Sequence, residues 1–387
     1  MRHPSLLDHF SALDDPRKRG KVLYPQPEIM LLILCAPLAG AEDFVETRAW
    51  GLNKLRFLRG LLPFKRGVPS HDTLNDGMNA LDGDLFAAAF TAWVDGLREA
   101  EPDSVAIDGK TSRRAHGGGH PLHMVSAWAT RQRLVPVQEE TGAKSNEISA
   151  IPLLLARLQL TGALVTIDVE PESATGSGGP ARGTQTRIAQ CILARGADDL
   201  LALKARQKSL ATEVALFFDL PEQRGAAHTT TDGGHGRIEI RRHWVSTSVD
   251  WLQSNCRASP RHFPGEPRFP GLKAIAMVEA CVERDGKVTT SRRYFLSSLA
   301  LDPALLARAV RAHWGIENRL HWVLDVVFHD DLMRLRTESG PKNMATIKHM
   351  AMNLIRAALG KDNLKSKRKT AGWDQKYLKT IITQAGK

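Results

Sequence analysis

Residues 302–327 read DPALLARAVRAHWGIENRLHWVLDVV, and this stretch decides the fold of the chain. Asp302 followed by Pro303 predicts a helix start, because Asp is a favoured N-cap and Pro is favoured at the first helical position. The helix is expected to reach Val327 with one face toward a core, formed by residues spaced alternately by four and three: Leu306, Val310, His313, Glu317, Leu320, Leu324 and Val327. A carboxylate at Glu317 in such a stripe requires a positively charged partner, and a bound cation is one.

The composition indicates a globular protein with an anionic partner. The chain has 387 residues, 42% hydrophobic and 25% charged, which allows two or three domains with a large core. Its net charge of +11 favours a polyanion, most often nucleic acid, although a basic surface without a partner gives the same charge.

Cysteine usage and hydropathy predict a cytoplasmic protein with no membrane partner. The four cysteines stand far apart without a CxxC pair, which is typical of a reducing compartment. The N-terminus lacks the apolar stretch of a signal peptide. The longest apolar run, 29–41, is too short to span a bilayer and contains Pro37, so it predicts a buried helix.

The chain divides on sequence grounds into three parts. Residues 1–98 predict a helical N-terminal domain, in which Asp82 caps one helix; its interspersed basic residues would grip DNA or form a solvated face. Residues 99–360 predict a catalytic domain. Residues 361–387 form a basic C-terminal tail, a composition typical of a solvated, mobile segment that adds affinity for phosphates.

Residues 99–360 predict an α/β fold with a mixed sheet flanked by helices. Strand-like runs occur at 104–107, 123–128, 134–137, 163–167 and 200–204, with helices from about 149 and at 185–194. This order predicts an antiparallel first half and parallel crossovers after it. Short strand-like runs within about 206–300 predict a β-rich insertion before the Glu317 helix.

Three acidic residues are the candidate catalytic and metal-binding residues. Asp108 and Asp168 each close a buried strand, and Glu317 lies on the inward helix face. Three carboxylates form a hard, oxygen-rich site suited to Mg²⁺ or Mn²⁺, and two such ions roughly 4 Å apart catalyse phosphodiester chemistry. A strand-end Asp by itself usually only ends its strand.

A rival interpretation uses the same helix for zinc. His313, Glu317, His321 and Asp325 are spaced four apart, which would align four ligands. The stretch has neither an HExxH motif nor a cysteine, and the helical drift moves His321 and Asp325 off the apolar stripe. Structural pairing of these side chains is the alternative.

Several motifs resemble those of a known family, and they occur in order from the first helices to about Arg356: PSHDT (69–73), AIDGK (106–110), HMVSA (123–127), KSNEI (144–148), VTID (165–168), HGRIE (235–239), HWGIEN (313–318) and LHWVLDV (320–326). Together they resemble the H-repeat-associated family of bacterial insertion-sequence transposases. The resemblance implies a ribonuclease H-like core, a divalent metal requirement, and DNA cleavage and strand transfer at element ends. Matched to the family's motifs, the DDE triad falls on Asp108, Asp168 and Glu317.

Two departures from the family pattern bear on activity. Val169–Arg182 forms an insertion directly after Asp168, and Arg206 stands where the family usually has Asn. A flexible loop is cheap to lengthen, so the fold should survive while the geometry at a metal ligand changes. The alternative function is therefore a catalytically inactive relative that only binds DNA.

The expected partner is double-stranded DNA, at element ends and at the target, in a nucleoid-associated protein that can form a homodimer around two ends. Eight basic residues in or beside the motifs are candidate phosphate contacts: Lys110, Arg113, Lys144, Lys204, Arg237, Arg241, Arg311 and Arg319. For each one alone, a solvated surface charge is the competing interpretation.

Overall fold

The computed structural model of this chain describes residues 5–18, 20, 22–97, 103–117, 120–141, 147–168, 182–203, 208–234, 236–252 and 269–383. The helices, in chain order, are α1 (Leu6–Ser11), α2 (Gln26–Leu38), α3 (Phe44–Asn53), α4 (Leu55–Arg59), α5 (His71–Ala80), α6 (Gly83–Asp95), α7 (Glu147–Ala156), α8 (Arg182–Leu193), α9 (Lys208–Asp219), α10 (Pro221–Arg224), α11 (Pro303–His313), α12 (Trp322–Val327), α13 (Gly340–Ala357), α14 (Leu364–Trp373) and α15 (Gln375–Thr383). The strands are β1 (Val105–Gly117), β2 (His120–Ala129), β3 (Gln138–Glu140), β4 (Leu164–Ile167), β5 (Asp198–Leu203), β6 (His228–Gly234), β7 (Arg237–Ser246), β8 (Ala274–Arg284) and β9 (Lys287–Ser297).

The chain divides into two compact units. The helical unit comprises Met1–Glu101, Gly109–Ser145 and Glu317–Lys387, and the sheet unit comprises Pro102–Asp108 and Asn146–Ile316. This division follows spatial contacts and not chain order, so the domain limits at 98, 99, 360 and 361 stay predictions.

Helix α13 is the centre of the helical unit, where it packs against α2, α5, α6, α14 and α15. Asn343 on α13 donates hydrogen bonds from Nδ2 to the carbonyls of Met78 and Leu81, both at 2.8 Å. Helix α2 is buried along nearly its whole length, as its apolar sequence predicts. Helix α6 begins after Asp82, whose carboxylate accepts from the amides of Asp84 and Leu85, which confirms that cap.

The structure contradicts the predicted strand at 134–137. Leu134 forms only an isolated bridge with Ala129, and the third strand lies further along, at Gln138–Glu140. The reason is the side chain of Asn353, which accepts from the amide of Val135 and donates to its carbonyl, both at 3.0 Å. These two backbone groups are satisfied by an amide side chain, so they do not join a strand ladder.

The C-terminal segment is folded where it is described, and not the solvated run expected from its charge. Asn363 caps α14 by accepting from the amide of Ser366 at 2.9 Å. Arg368 is buried and donates to the carbonyls of Pro37, Ala41 and Val327. A guanidinium has five N–H donors, and pairing them with carbonyls makes its burial tolerable.

The sheet unit contains a large mixed sheet. The first residues of β1 pair in parallel with β4, and β4 pairs in parallel with β5. Strand β9 then pairs antiparallel with β5, and β8, β7 and β6 follow in antiparallel order. The segment predicted as a β-rich insertion therefore contributes two helices, α9 and α10, and four strands that extend the sheet.

Helix α11 packs against β4, β6 and β7, whereas α8 contacts β5 and α9 contacts β9. Under α11 lies an apolar cluster that includes Leu164, Leu200, Phe295, Leu306 and Val310. The chain thus has the predicted α/β class, with a large mixed sheet flanked by helices. In the parts of the chain that the structure describes, no helix combines the length and apolar character needed to cross a membrane.

Candidate active site

Asp168 directly follows β4, and Asp108 lies beside it on the neighbouring strand β1, which continues to Gly117, so the prediction that Asp108 closes its strand is wrong. Ile107 on β1 is paired in register with Ile167 on β4. Asp108 directly follows Ile107, and Asp168 directly follows Ile167. Both are half-buried, whereas the strand residues before them are buried. Because the two strands run parallel and their pairing reaches Ile107 and Ile167, the next residue of each lies at the same level of the sheet, which brings these two predicted acids together.

Arg293 on β9 contacts Asp168, and no sequence pattern predicts this contact. Its Nη1 lies 3.3 Å from Oδ2 of Asp168, with 48% of the arginine side chain and 25% of the aspartate side chain exposed. The same guanidinium lies over the ring of Trp314, 4.8 Å from its centroid. A cation–π contact and an ion pair together orient this arginine at the second acid.

His313, the last residue of α11, is held toward β4. Its Nδ1 is 2.9 Å from Oγ1 of Thr166, two residues before Asp168. A small cleft in the sheet unit is lined by Asp168, Arg293, Phe295, His313 and Trp314 among others. The cleft therefore brings a guanidinium, an imidazole and an aromatic ring together beside the carboxylate of Asp168.

Glu317 does not lie on an inward helix face, and that prediction is wrong. The continuous helix expected from 302 to 327 is broken: α11 ends at His313, and Glu317–His321 form a π-helical turn before α12. The later residues of the predicted stripe, Leu320, Leu324 and Val327, are buried as expected, whereas Glu317, which comes just after the break at the end of α11, is not. The Glu317 side chain is 54% exposed, and its Oε2 is 3.6 Å from Nδ1 of His321. Exposure keeps this carboxylate accessible to ions and substrate.

Two of the four residues in the zinc alternative have other partners. His313 contacts Thr166, and Asp325 Oδ1 is 2.6 Å from Nζ of Lys110. The Glu317–His321 contact adds a third pairing. The structure therefore contains paired side chains, which is the alternative to the zinc interpretation. Lys110 also lies 3.5 Å from Asp331 and is only 11% exposed, so two carboxylates compete with any phosphate for its charge.

Three of the predicted phosphate contacts share a single ion-pair network in the sheet unit. Arg241 is 2.6 Å from Asp232 and 2.7 Å from Glu239. Arg237 is 3.1 Å from Glu239, and Arg311 on α11 is 3.2 Å from Asp232. Three arginines thus share two acids, which leaves one excess positive charge on this face.

The other predicted contacts are less defined. Arg319 is exposed within the π-helical turn. Lys144, Lys204, the side chain of Arg113, and His235 lie outside the described residues, as do Arg206 and residues 169–181 of the insertion. Arg182, the last residue of the insertion, begins α8.

Comparison with known proteins gives consistent matches over almost the whole chain. Residues 99–354 match the family model described as transposase DDE domain, and residues 7–94 match the one described as DDE_Tnp_1-associated. YncI of Escherichia coli O157:H7, assigned as a transposase, is 34% identical, with 98% of this chain and 94% of YncI covered. The H repeat-associated protein YhhI of Escherichia coli strain K12, also assigned as a transposase, is 32% identical, with 100% of both chains covered.

Proposed function

This chain belongs to the DDE transposase family and is an insertion-sequence transposase, and we propose that Asp108, Asp168 and Glu317 are its catalytic acids. The observation that carries the proposal is the register of β1 and β4, which makes Asp108 and Asp168 neighbours at one sheet edge. Glu317 is the acid of the HWGIEN motif and is accessible to solvent.

We infer that the catalytic core is ribonuclease H-like. The support is the order of its elements: parallel pairing of β1 with β4 and of β4 with β5, and antiparallel pairing of β2 with β3. The four added strands continue from β5 through β9, so the extension enters the chain ahead of the helix that carries the third acid.

The acids fit a hard divalent cation, Mg²⁺ or Mn²⁺. Asp108 and Asp168 offer carboxylate oxygens without a thiol, which is the ligand chemistry that these ions prefer. When bound, two such ions supply charge stabilisation at a phosphodiester and an activated oxygen nucleophile. Asp108, Asp168 and Glu317 would hold them. The His313 imidazole, fixed by Thr166, and Trp314 would orient the DNA beside Asp168.

The proposed partner is double-stranded DNA, cleaved at the element's ends and then joined through its 3′-hydroxyls to target DNA. The net charge of +11 favours a polyanion of this kind. Pairing of two ends favours a homodimer in the DNA complex, and the expected location is the bacterial nucleoid in the cytoplasm.

The test is metal-dependent cleavage of DNA that contains the element's own ends. Asp108→Asn, Asp168→Asn and Glu317→Gln should each lower the cleavage rate by at least about 10³-fold, since each removes a ligand charge without changing size. Asp250→Asn, at an exposed acid in the sheet unit, is the matched control and should keep wild-type activity.

Binding measured on the same DNA separates the alternatives. If the wild type and the Asp108→Asn variant bind the end DNA equally and neither cleaves it with Mg²⁺ or Mn²⁺, the chain is the inactive DNA-binding relative. If Glu317→Gln alone keeps full activity, the third acid has been assigned wrongly.

A further inference from the structure

One end of the extended sheet carries three positive side chains in direct register. Arg237 on β7 pairs with Arg284 on β8, and Arg284 pairs with Lys287 on β9. Directly paired residues of neighbouring antiparallel strands point to the same face and lie close together. These three residues therefore form one line of positive charge across three strands, hereafter the cationic row.

Like charges placed opposite each other destabilise a sheet, and nearby acids offset this row only in part. Arg237 shares Glu239 with Arg241. Arg284 lies 3.7 Å from Asp285, with both side chains more than 70% exposed, and such a pair contributes little. The row thus keeps an excess of positive charge at an exposed surface.

The opposite face at the same end of the sheet has a different character. There the paired residues are Ile238, Glu283 and Val288, one acid between two aliphatic side chains. Further along the same face, Arg242 and Arg292 share Glu279. At this end of the sheet, the positive charge is therefore confined to the face of the cationic row.

The cationic row is linked to the candidate active site by strand β9. Side chains on a strand alternate between its two faces, so every second residue from 287 to 293 lies on one face. Lys287 and Arg293 therefore point the same way. Arg293 is the residue against Asp168. Between the two cations lie only Thr289 and Ser291, with Ala280 and Val282 beside them on β8, so short side chains allow close approach of a backbone.

We propose that this face is a binding site for the phosphodiester backbone of duplex DNA, and that the cationic row holds phosphates away from the cleaved bond. Six residues of strand from Arg293 to Lys287 span about 20 Å. At about 3.4 Å per nucleotide, that distance places the contacted phosphates roughly six nucleotides from the scissile phosphate. The inference rests on the proposed function, since it takes Asp168 as the point of cleavage.

The test measures binding, and not cleavage, so that it does not depend on the catalytic acids. Arg284→Gln, Lys287→Gln and the double variant are titrated with end DNA at several salt concentrations in Ca²⁺. Each lost phosphate contact should reduce the slope of log affinity against log salt by about 0.9, and the double variant by about 1.8. Arg242→Gln is the control, because Arg242 lies on the opposite face of β7.

A second arm locates the contact on the DNA. Duplexes are trimmed to about three base pairs beyond the scissile phosphate, on one side and then on the other. Trimming on one of the two sides should weaken DNA binding by the wild type and leave DNA binding by the double variant unchanged. Both proteins should then bind that trimmed duplex with equal affinity. The double variant should still cleave the trimmed duplex at the wild-type rate, whereas a chain that only binds DNA would show these binding differences with no cleavage by either protein.

Three results would overturn the inference. The first is an equal loss of salt dependence in Arg242→Gln and Lys287→Gln, which would show a general charge effect. The second is an unchanged slope in the double variant. The third is single-stranded DNA of the same sequence binding as tightly as the duplex with the same sensitivity to the row variants.

Discussion

Arg293 lies with its Nη1 3.3 Å from Oδ2 of Asp168, so the second candidate acid has a fixed positive charge against it before any metal binds. Trp314 holds the guanidinium from its other side at 4.8 Å. A divalent cation that binds Asp168 must then share the carboxylate with Arg293 or displace it. Arg293 is accordingly placed to set how strongly metal binds and to shift when DNA arrives.

Arg293→Gln should bind Mn²⁺ more tightly than the wild type. A unit charge at this distance is worth about 1 kcal/mol in a solvent-exposed setting, so we expect an affinity increase of roughly fivefold. Electron paramagnetic resonance of Mn²⁺ without DNA measures this directly. Arg293→Lys keeps the charge and should resemble the wild type. Weaker Mn²⁺ binding in Arg293→Gln would instead mean that the arginine orients Asp168 for the metal.

Asp232→Asn should strengthen DNA binding. Asp232 contacts Arg311 and shares Arg241 with Glu239, so its removal frees Arg311 for a phosphate, which would steepen the salt dependence by about 0.9. Glu279→Gln is the matched control, because Glu279 also bridges two arginines, Arg242 and Arg292, on the other face. Fluorescence anisotropy against salt decides the outcome. An equal gain in both variants would argue against DNA binding by Arg311.

Asp199→Asn should stabilise the protein above neutral pH. Burial raises the pKa of Asp199 to about 7, so the folded state holds a proton that the unfolded state releases near pH 4. The wild type therefore loses stability relative to the variant as pH rises from 4 to 7, by up to about 4 kcal/mol. Urea unfolding at pH 5 and pH 8 measures the difference. A variant advantage that does not grow with pH would contradict the raised pKa.

Asn353→Leu should destabilise the helical unit strongly. The change leaves the amide and carbonyl of Val135 without their partner, at about 1–3 kcal/mol for each buried group. Amide hydrogen exchange at Val135 should accelerate together with a lower urea midpoint. Asn363→Ala removes only the cap of α14 and should cost about 1 kcal/mol. Equal losses in the two variants would show that Asn353 has no special role.

The Arg284→Gln/Lys287→Gln double variant should be slightly more stable than the wild type. Removing two members of a like-charged row relieves repulsion of about 0.2–1 kcal/mol for each pair. Thermal unfolding at low salt measures the gain, which should shrink at high salt as the charges are screened. A loss of stability would show that these side chains make favourable contacts of their own.

Local features of the fold could be predicted from the sequence. Asp82 and Asp302 cap their helices as expected, since a cap depends on neighbouring residues only. The neighbouring positions of Asp108 and Asp168 follow from two buried runs that each precede an Asp, because such runs pair as parallel strands, although β1 continues past Asp108 to Gly117.

Features that depend on distant partners could not be predicted in this way. Residues 134–137 do not form a strand because the side chain of Asn353, more than 200 positions away, binds the backbone of Val135. Hydrophobic periodicity carries no information about such a partner. A regular helical period from Asp302 predicts that Glu317 faces inward, and the end of α11 at His313 breaks that period just before Glu317. Arg241 on β7 and Arg311 on α11 both contact Asp232 on β6, whose position depends on strand register.

The uninterrupted register of β8 with β9 has a consequence for how this hairpin can vary in length. Side chains on a strand alternate between faces, so one residue gained or lost between Lys287 and Arg293 would turn Lys287 to the Ile238 face while Arg293 stayed at Asp168. Only changes by two residues preserve both orientations, and each moves the charges by about 7 Å. Natural variants of this hairpin should therefore differ by even numbers of residues per strand.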